Sequence, residues 1–209
     1  MSADVLRADQ IAKAPKLMTS TSNKLLWAGR LVASKRPDIS IWALSRLIAR
    51  ENEAHLEIAG TGPEMERLRS LANHLGVENH ITWLGWVKAA AMAEIYRRND
   101  VLLYTSVRDS GFPSALEAAA QGTPAIGFRH QGFGANYSVN FDCFVEGSPG
   151  ARSSELGDVF ADAVVKLLAS DYAMASAQSI ALAGRHNFLG RAAELLQDVE
   201  RVSMTGRGQ

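Results

Sequence analysis

A regular alternation of short apolar runs and amphipathic stretches most constrains how this chain folds. Five runs have the length and composition of buried strands, at residues 24–28, 55–59, 80–84, 100–104 and 124–128. Between each pair of consecutive runs lies a segment with apolar residues at helical spacing. These segments are residues 38–52, 64–75, 88–98 and 113–121. Strands and helices that alternate in this way predict βαβ units and a parallel sheet.

The end of the chain departs from this alternation. A glycine-rich loop is predicted over residues 129–140 and a short sixth strand over 141–145, followed by helices at 156–168, 173–184 and 189–202. We therefore expect an α/β fold: a Rossmann-like, doubly wound parallel sheet of about six strands, with helices on both faces and a helical C-terminus. The expected units are an approach segment or linker (1–22), the Rossmann-like domain (23–186) and a C-terminal helical segment (187–209).

Composition and charge narrow the functional classes. Apolar residues make up 47% of the 209, which suits a globular core, and 22 basic against 22 acidic residues give no net charge. Nucleic-acid binding is disfavoured, because such proteins usually carry a basic excess. The single cysteine, Cys143, cannot form an internal disulfide, and neither a signal peptide nor a transmembrane run is recognisable. We expect a cytoplasmic protein that could still contact a membrane through a partner or a missing segment.

Metal binding is not indicated by the pattern of potential ligands. The histidines do not combine with Cys143 in any spacing typical of a metal site; they are His55, His74, His80, His130 and His186. We therefore expect no metal.

Ligands of doubly wound sheets bind beyond the carboxyl ends of the strands, so the strand-to-helix junctions are the candidate sites. At the first junction, Gly29 ends a strand, and Arg30 and Lys35 follow. If the loop curls over the strand end, both cations can face one anion. Two solvated surface cations explain the same pattern equally well.

Two further junctions carry weaker signals. Gly62 lies in a glycine-rich turn after the second strand, where glycines allow a ligand to approach the backbone but also make ordinary turns. Leu84, Gly85 and Trp86 follow the third strand. A planar base could lie against this edge, although tryptophans here more often serve packing.

The fourth junction is the most informative. A buried strand runs into a polar loop, and a helix then starts with Gly111, Phe112, Pro113 and Ser114. Free backbone N–H groups and the helix dipole make such a start an anion site.

Two acids belong to this junction. Glu117 lies one turn into the helix, where it either favours the dipole or accepts hydrogen bonds from ribose hydroxyls. Asp109, which precedes the glycine, either contacts a sugar hydroxyl or closes the turn. A glycosidase pair is disfavoured, because these acids cluster with anion-binding features.

Residues 25–38, 56–87 and 100–127, taken in order, resemble the C-terminal domain of GT-B-fold retaining glycosyltransferases of the "glycosyl transferases group 1" family. The resemblance implies that Arg30 and Lys35 grip the donor diphosphate and that Glu117 holds the ribose. It places Asp109, an aspartate where the family commonly has glutamate, beside the transferred sugar, and residues 84–86 beside the nucleobase. Residues 132–134 fall in a loop that often borders that sugar.

The implied activity is transfer of a hexose-type sugar from a UDP-, GDP- or ADP-linked donor to a glycan or lipid-linked acceptor, with the nucleotide diphosphate sugar as substrate and no separate cofactor. The acceptor would bind to an N-terminal domain or a separate subunit, on which residues 189–202 would also pack. Two alternatives stay open: a non-catalytic partner of an acceptor-binding subunit, and a sugar-nucleotide epimerase.

Overall fold

A sheet of parallel strands forms the centre of the structure, a computed structural model that describes residues 8–18, 23–108, 112–129, 131–148 and 150–186. Its strands are β1 Asn23–Ala28, β2 Ala54–Ala59, β3 Ile81–Gly85, β4 Val101–Tyr104, β5 Ala125–Phe128 and β6 Phe144–Val145. They lie in the order β3-β2-β1-β4-β5-β6, and each neighbouring pair is parallel. The chain thus starts at the centre of the sheet, winds to one edge and returns to build the other half.

Helices connect the strands and cover the sheet. They are α1 Pro37–Ala49, α2 Met65–His74, α3 Ala89–Arg98, α4 Pro113–Ala120, α5 Gln131–Asn136, α6 Ser153–Ala169 and α7 Tyr172–Arg185. Short 3₁₀ turns lie at Ala8–Gln10, Ala33–Lys35 and Glu78–His80. None of the described helices is both long enough and apolar enough to cross a bilayer.

The two faces of the sheet carry separate cores, because side chains alternate along a strand. Leu25 and Trp27 of β1 point into the first core, which is shared with α1, α2 and α6. Leu26 points into the second core, which is shared with α3, α4 and α7. Helices therefore cover both faces, which confirms the predicted Rossmann-like, doubly wound fold.

The prediction of a loop over residues 129–140 is wrong. Residues 129–140 were expected to be irregular because they are rich in glycine, but they contain α5. Aromatic packing explains the difference. Phe133 stacks on Tyr104 at 5.1 Å and on Tyr137 at 4.5 Å between ring centroids, which fixes this turn against the second core.

The described part of the N-terminal segment lies against the domain. The backbone N–H of Ala12 donates to the carbonyl of Ala120 at 2.7 Å, and the Gln121 side chain donates to the carbonyl of Gln10 at 2.6 Å. The predicted C-terminal segment, 187–209, lies outside the described residues.

Lys16 fastens this segment through a largely buried ammonium group. Its backbone N–H donates to Ser176 Oγ at 2.8 Å, and its Nζ donates to the carbonyl of Asn99 and to Thr123 Oγ1. Burial lowers the pKa of Lys16 from 10.5 to about 8, although the nearby Asp100 carboxylate opposes this shift.

This shift predicts a specific pH dependence of stability. Between pH 8 and 10.5 the unfolded chain binds more protons at Lys16 than the folded chain does, so the free energy of unfolding rises with pH. Its slope against pH should be up to about 1.4 kcal/mol per pH unit steeper in the unaltered chain than in Lys16→Met. Urea unfolding across this window measures both slopes. Lys13→Met, at an exposed lysine of the same segment, should keep the unaltered slope, and equal slopes in all three proteins would refute the prediction.

Candidate functional site

A cleft of about 370 Å³ opens at the carboxyl ends of β1 and β4. These strands are neighbours, but the helices that follow them leave in opposite directions: α1 packs on the first core and α4 on the second. The diverging connections leave a gap between them, as expected at the topological switch point of a doubly wound sheet.

The loops after β1, β2 and β3 form one wall and are joined by backbone hydrogen bonds. The N–H of Gly29 donates to the carbonyl of Ala59 at 2.9 Å, and the N–H of Gly60 donates to that of Gly85 at 2.7 Å. Farther along, the N–H of Leu31 donates to the carbonyl of Thr61 at 3.0 Å. These bonds continue the sheet beyond its strands and hold the wall in place.

Glycines permit this close approach. A Cβ on Gly60 would lie 1.8 Å from the carbonyl oxygen of Gly29, and one on Gly62 would lie 2.2 Å from that of Leu31. Gly60 also has a φ of +149°, which other residues rarely adopt. Gly62 is outside the cleft wall, and its close approach is to another loop of the chain.

Arg30 and Lys35 both line the cleft, and the turn that carries Lys35 is anchored to the end of β4. The Thr105 hydroxyl donates to the carbonyl of Lys35 at 2.8 Å and accepts from the Trp27 indole N–H at 2.9 Å. The N–H of Val107 donates to the carbonyl of Ser34 at 3.1 Å. The two cations are therefore presented to one space by loops that brace each other.

The opposite wall is the start of α4. Pro113, Ser114 and Glu117 line the cleft there. Backbone N–H groups in the first turn of a helix have no acceptor within the helix, and the dipole makes this end favourable for an anion. Phe112, just before the helix, is not part of the wall; it packs edge-on against Tyr137 and His186.

A buried tyrosine holds the Glu117 carboxylate. The Tyr96 hydroxyl, from α3, donates to Glu117 Oε2 at 2.8 Å, and Tyr96 itself lines the cleft. Burial, together with the charge and hydrogen bond of Glu117, raises the pKa of Tyr96 well above 10, so the phenol stays a proton donor. Glu117 can still accept hydrogen bonds through its other lone pairs.

The rim on the α3 side is apolar. Trp86, 71% exposed, Val87 and Met92 line it. Leu84 and Gly85 do not line the cleft; Leu84 packs against the second core, and the Gly85 carbonyl supports Gly60. A large exposed indole beside a cleft offers a flat surface to a planar ligand.

The structure brings together part of the predicted site. Predicted residues that line the cleft are Gly29, Arg30, Lys35, Trp86, Pro113, Ser114 and Glu117. Asp109 and Gly111 lie outside the described residues. Within the described residues, no group of three or more histidine, cysteine or acidic side chains could hold a metal ion.

Several cleft residues are not among the predicted site residues, and three of them carry hydroxyl groups that matter for the site: Tyr96, Thr105 and Ser106. Tyr96 lies on the apolar side of a predicted helix, so the sequence gives no sign that its hydroxyl bonds to Glu117. Thr105 and Ser106 are small polar residues directly after a fully apolar strand, and this abrupt change of character was the available signal.

The close approach of the loops predicts a strong effect of a single methyl group. Gly60→Ala forces the β1 and β2 loops apart and should lower the free energy of unfolding by about 2–5 kcal/mol. Gly184→Ala is the matched control: Gly184 lies within α7, its added Cβ would meet no atom of the other described elements within 4 Å, and the change should stabilise by roughly 0.5–1 kcal/mol. Chemical denaturation measures both, and a Gly60→Ala protein as stable as the unaltered chain would contradict the described packing.

Comparisons with known proteins agree with this architecture. At 35% identity over 102 residues the chain is similar to an uncharacterized glycosyltransferase of Methanocaldococcus jannaschii, an alignment covering 49% of this chain and 26% of that protein. Its alignments with curated relatives span between 11% and 32% of the length of those proteins.

Solved structures share the fold. The chain is similar to the pneumococcal O-GlcNAc transferase GtfA in complex with UDP and GlcNAc, with a TM-score of 0.73 at 21% identity over 90% of this chain and 38% of that one. It is also similar to Anabaena HepE in complex with UDP and glucose, with a TM-score of 0.70 at 18% identity over 85% and 49% of the two chains.

The family comparison identifies the chain directly. Residues 9–142, more than half of the chain, match the family described as glycosyl transferases group 1. The chain belongs to the glycosyl transferases group 1 family.

Proposed function

We propose that this chain is the donor-binding half of a retaining glycosyltransferase, and that its cleft binds a nucleotide diphosphate sugar. The observation that carries this is the convergence of Arg30, Lys35 and the start of α4 on one cleft, with Glu117 one turn farther along. Two cations and a helix start are complementary to a diphosphate, and a carboxylate near them is complementary to the hydroxyls of a ribose.

The diphosphate lies between the cations and the start of α4. Arg30 and Lys35 come from one wall and Ser114 from the other, so charge is neutralised from two sides. Charge-assisted hydrogen bonds of this kind contribute about 1.5–3 kcal/mol each. When the sugar leaves, negative charge grows on the diphosphate, and these groups stabilise it.

The nucleoside extends from the diphosphate toward α3. Glu117, held by Tyr96, accepts from the ribose hydroxyls, and the base lies against the apolar rim beside Trp86 and Val87. UDP is bound in both solved structures described above, and uracil, guanine and adenine are all planar enough for this surface.

Transfer moves a hexose-type sugar to a hydroxyl of a glycan or lipid-linked acceptor with retention of anomeric configuration. The bond from the anomeric carbon to the diphosphate oxygen breaks, the bond to the acceptor oxygen forms on the same face, and the acceptor proton passes to the leaving phosphate. Asp109 contacts the transferred sugar in this scheme. No resident metal or organic cofactor is required, since Arg30 and Lys35 supply the positive charge.

The acceptor binds to a further domain or subunit. In support, the chain corresponds to less than half of each solved neighbour. The catalytic unit is therefore this domain together with its acceptor-binding partner.

Nucleotide binding tests the proposal. UDP, GDP or ADP at about a hundred times its Kd should stabilise the chain by about 2.7 kcal/mol, a rise in Tm of roughly 5–10 °C. Glu117→Ala and Arg30→Ala should each weaken binding about tenfold or more, because each removes a charged hydrogen-bonding partner. Thermal shift and calorimetric titration measure both effects.

Controls separate ligand contact from general damage. Glu66→Ala and Arg152→Ala remove exposed charges away from the cleft and should leave binding unchanged. A 2′,3′-dideoxy analogue of the diphosphate that binds best should bind more weakly to the unaltered chain but not to Glu117→Ala, whose ribose contact is already lost. If UDP, GDP and ADP all fail to bind, the proposed function is refuted.

A further inference from the structure

Ser106 carries a buried hydroxyl in the cleft wall that none of the described residues hydrogen-bonds. The residue is 6% exposed and lines the cleft, and within the described part of the chain its buried Oγ has no hydrogen-bond partner. A buried hydroxyl without a partner costs free energy, because it has lost its hydrogen bonds to water and forms none with the protein.

The neighbouring Thr105 differs from Ser106, because its hydroxyl is hydrogen-bonded. Thr105, directly before Ser106, uses its hydroxyl twice, as donor to the Lys35 carbonyl and as acceptor from Trp27. Groups from β1 and from the Lys35 turn thus satisfy the Thr105 hydroxyl, whereas none of the described residues satisfies that of Ser106.

Hydrogen bonds on both sides fix Ser106 relative to Lys35. The Thr105 hydroxyl donates to the Lys35 carbonyl, and the N–H of Val107 donates to the carbonyl of Ser34. The turn that presents the cation therefore also holds the segment that presents the hydroxyl, and both line the same cleft. Lys35 and Ser106 thus line one cleft on two segments that are hydrogen-bonded to each other.

We propose that Ser106 is a ligand-binding residue whose hydroxyl donates to a phosphate oxygen of the nucleoside diphosphate, an inference that rests on the function proposed above. Phosphate oxygens accept several hydrogen bonds at once, and a compact neutral donor complements the lysine without adding charge. The hydroxyl is thus buried in advance for a ligand, and the ligand removes its desolvation cost.

The direct test is calorimetric titration of the whole chain with UDP, GDP and ADP, each beside its monophosphate and nucleoside. Ser106→Ala should weaken binding of the best diphosphate about tenfold. Binding of the matching nucleoside, which lacks phosphate, should be unchanged. Equal affinity of Ser106→Ala and the unaltered chain for the diphosphate would overturn the assignment, as would an equal loss for the nucleoside, which would place the contact on the ribose or base.

Stability without nucleotide supplies a second readout. Ser106→Ala removes an unsatisfied hydroxyl, so its Tm should equal or exceed that of the unaltered chain. Ser176→Ala is the matched control, because Ser176 is fully buried but bonded to Gly122 and Lys16, and its loss should lower Tm without altering nucleotide affinity. A Ser106→Ala protein with lowered Tm in the absence of nucleotide would indicate a structural role and overturn the proposal.

The two proposals fail in different ways. If the unaltered chain binds a diphosphate and Ser106→Ala binds it equally well, only the role of Ser106 is lost. If the unaltered chain binds none of the three diphosphates, both proposals are refuted.

Discussion

The divergence of the chain at the centre of the sheet is the constraint on which the site depends. Parallel pairing of β1 with β4 brings two strand ends side by side, while packing on separate cores sends α1 and α4 to opposite faces. No side chain has to be displaced to make room for a ligand, because the topology leaves the gap. The loops then need only to be held rigid around it.

Polar contacts across the strand ends supply that rigidity. Backbone hydrogen bonds join the loops after β1, β2 and β3, and glycines let them approach closely. Thr105 anchors the turn of Lys35, and Tyr96 anchors Glu117. The backbone of the Lys35 turn and the Glu117 carboxylate are thus held in place, and under the proposed function this reduces the reorganisation that nucleotide binding requires.

The fold was predictable from the sequence to a greater degree than the site. The strands lie within a few residues of the apolar runs, because strands buried on both faces read as continuous apolar segments. The helix at 131–136 was missed, because its stability comes from the packing of Phe133 on distant aromatic rings. Likewise the contact of Tyr96 with Glu117 could not be predicted, since it joins two helices that the sequence alone does not place side by side. Gly62 shows the same limit. The sequence predicts a glycine turn there, but only the structure shows that its backbone lies close to the carbonyl of Leu31.

A structure of this chain with a bound nucleoside diphosphate tests the central claim most directly. Crystals grown with UDP, GDP or ADP should show the diphosphate between Arg30, Lys35 and the first turn of α4, and the ribose on Glu117 beside Tyr96. The base should lie on the rim formed by Trp86 and Val87. A nucleotide bound elsewhere on the chain, or bound here with its diphosphate away from Arg30 and Lys35, would contradict it.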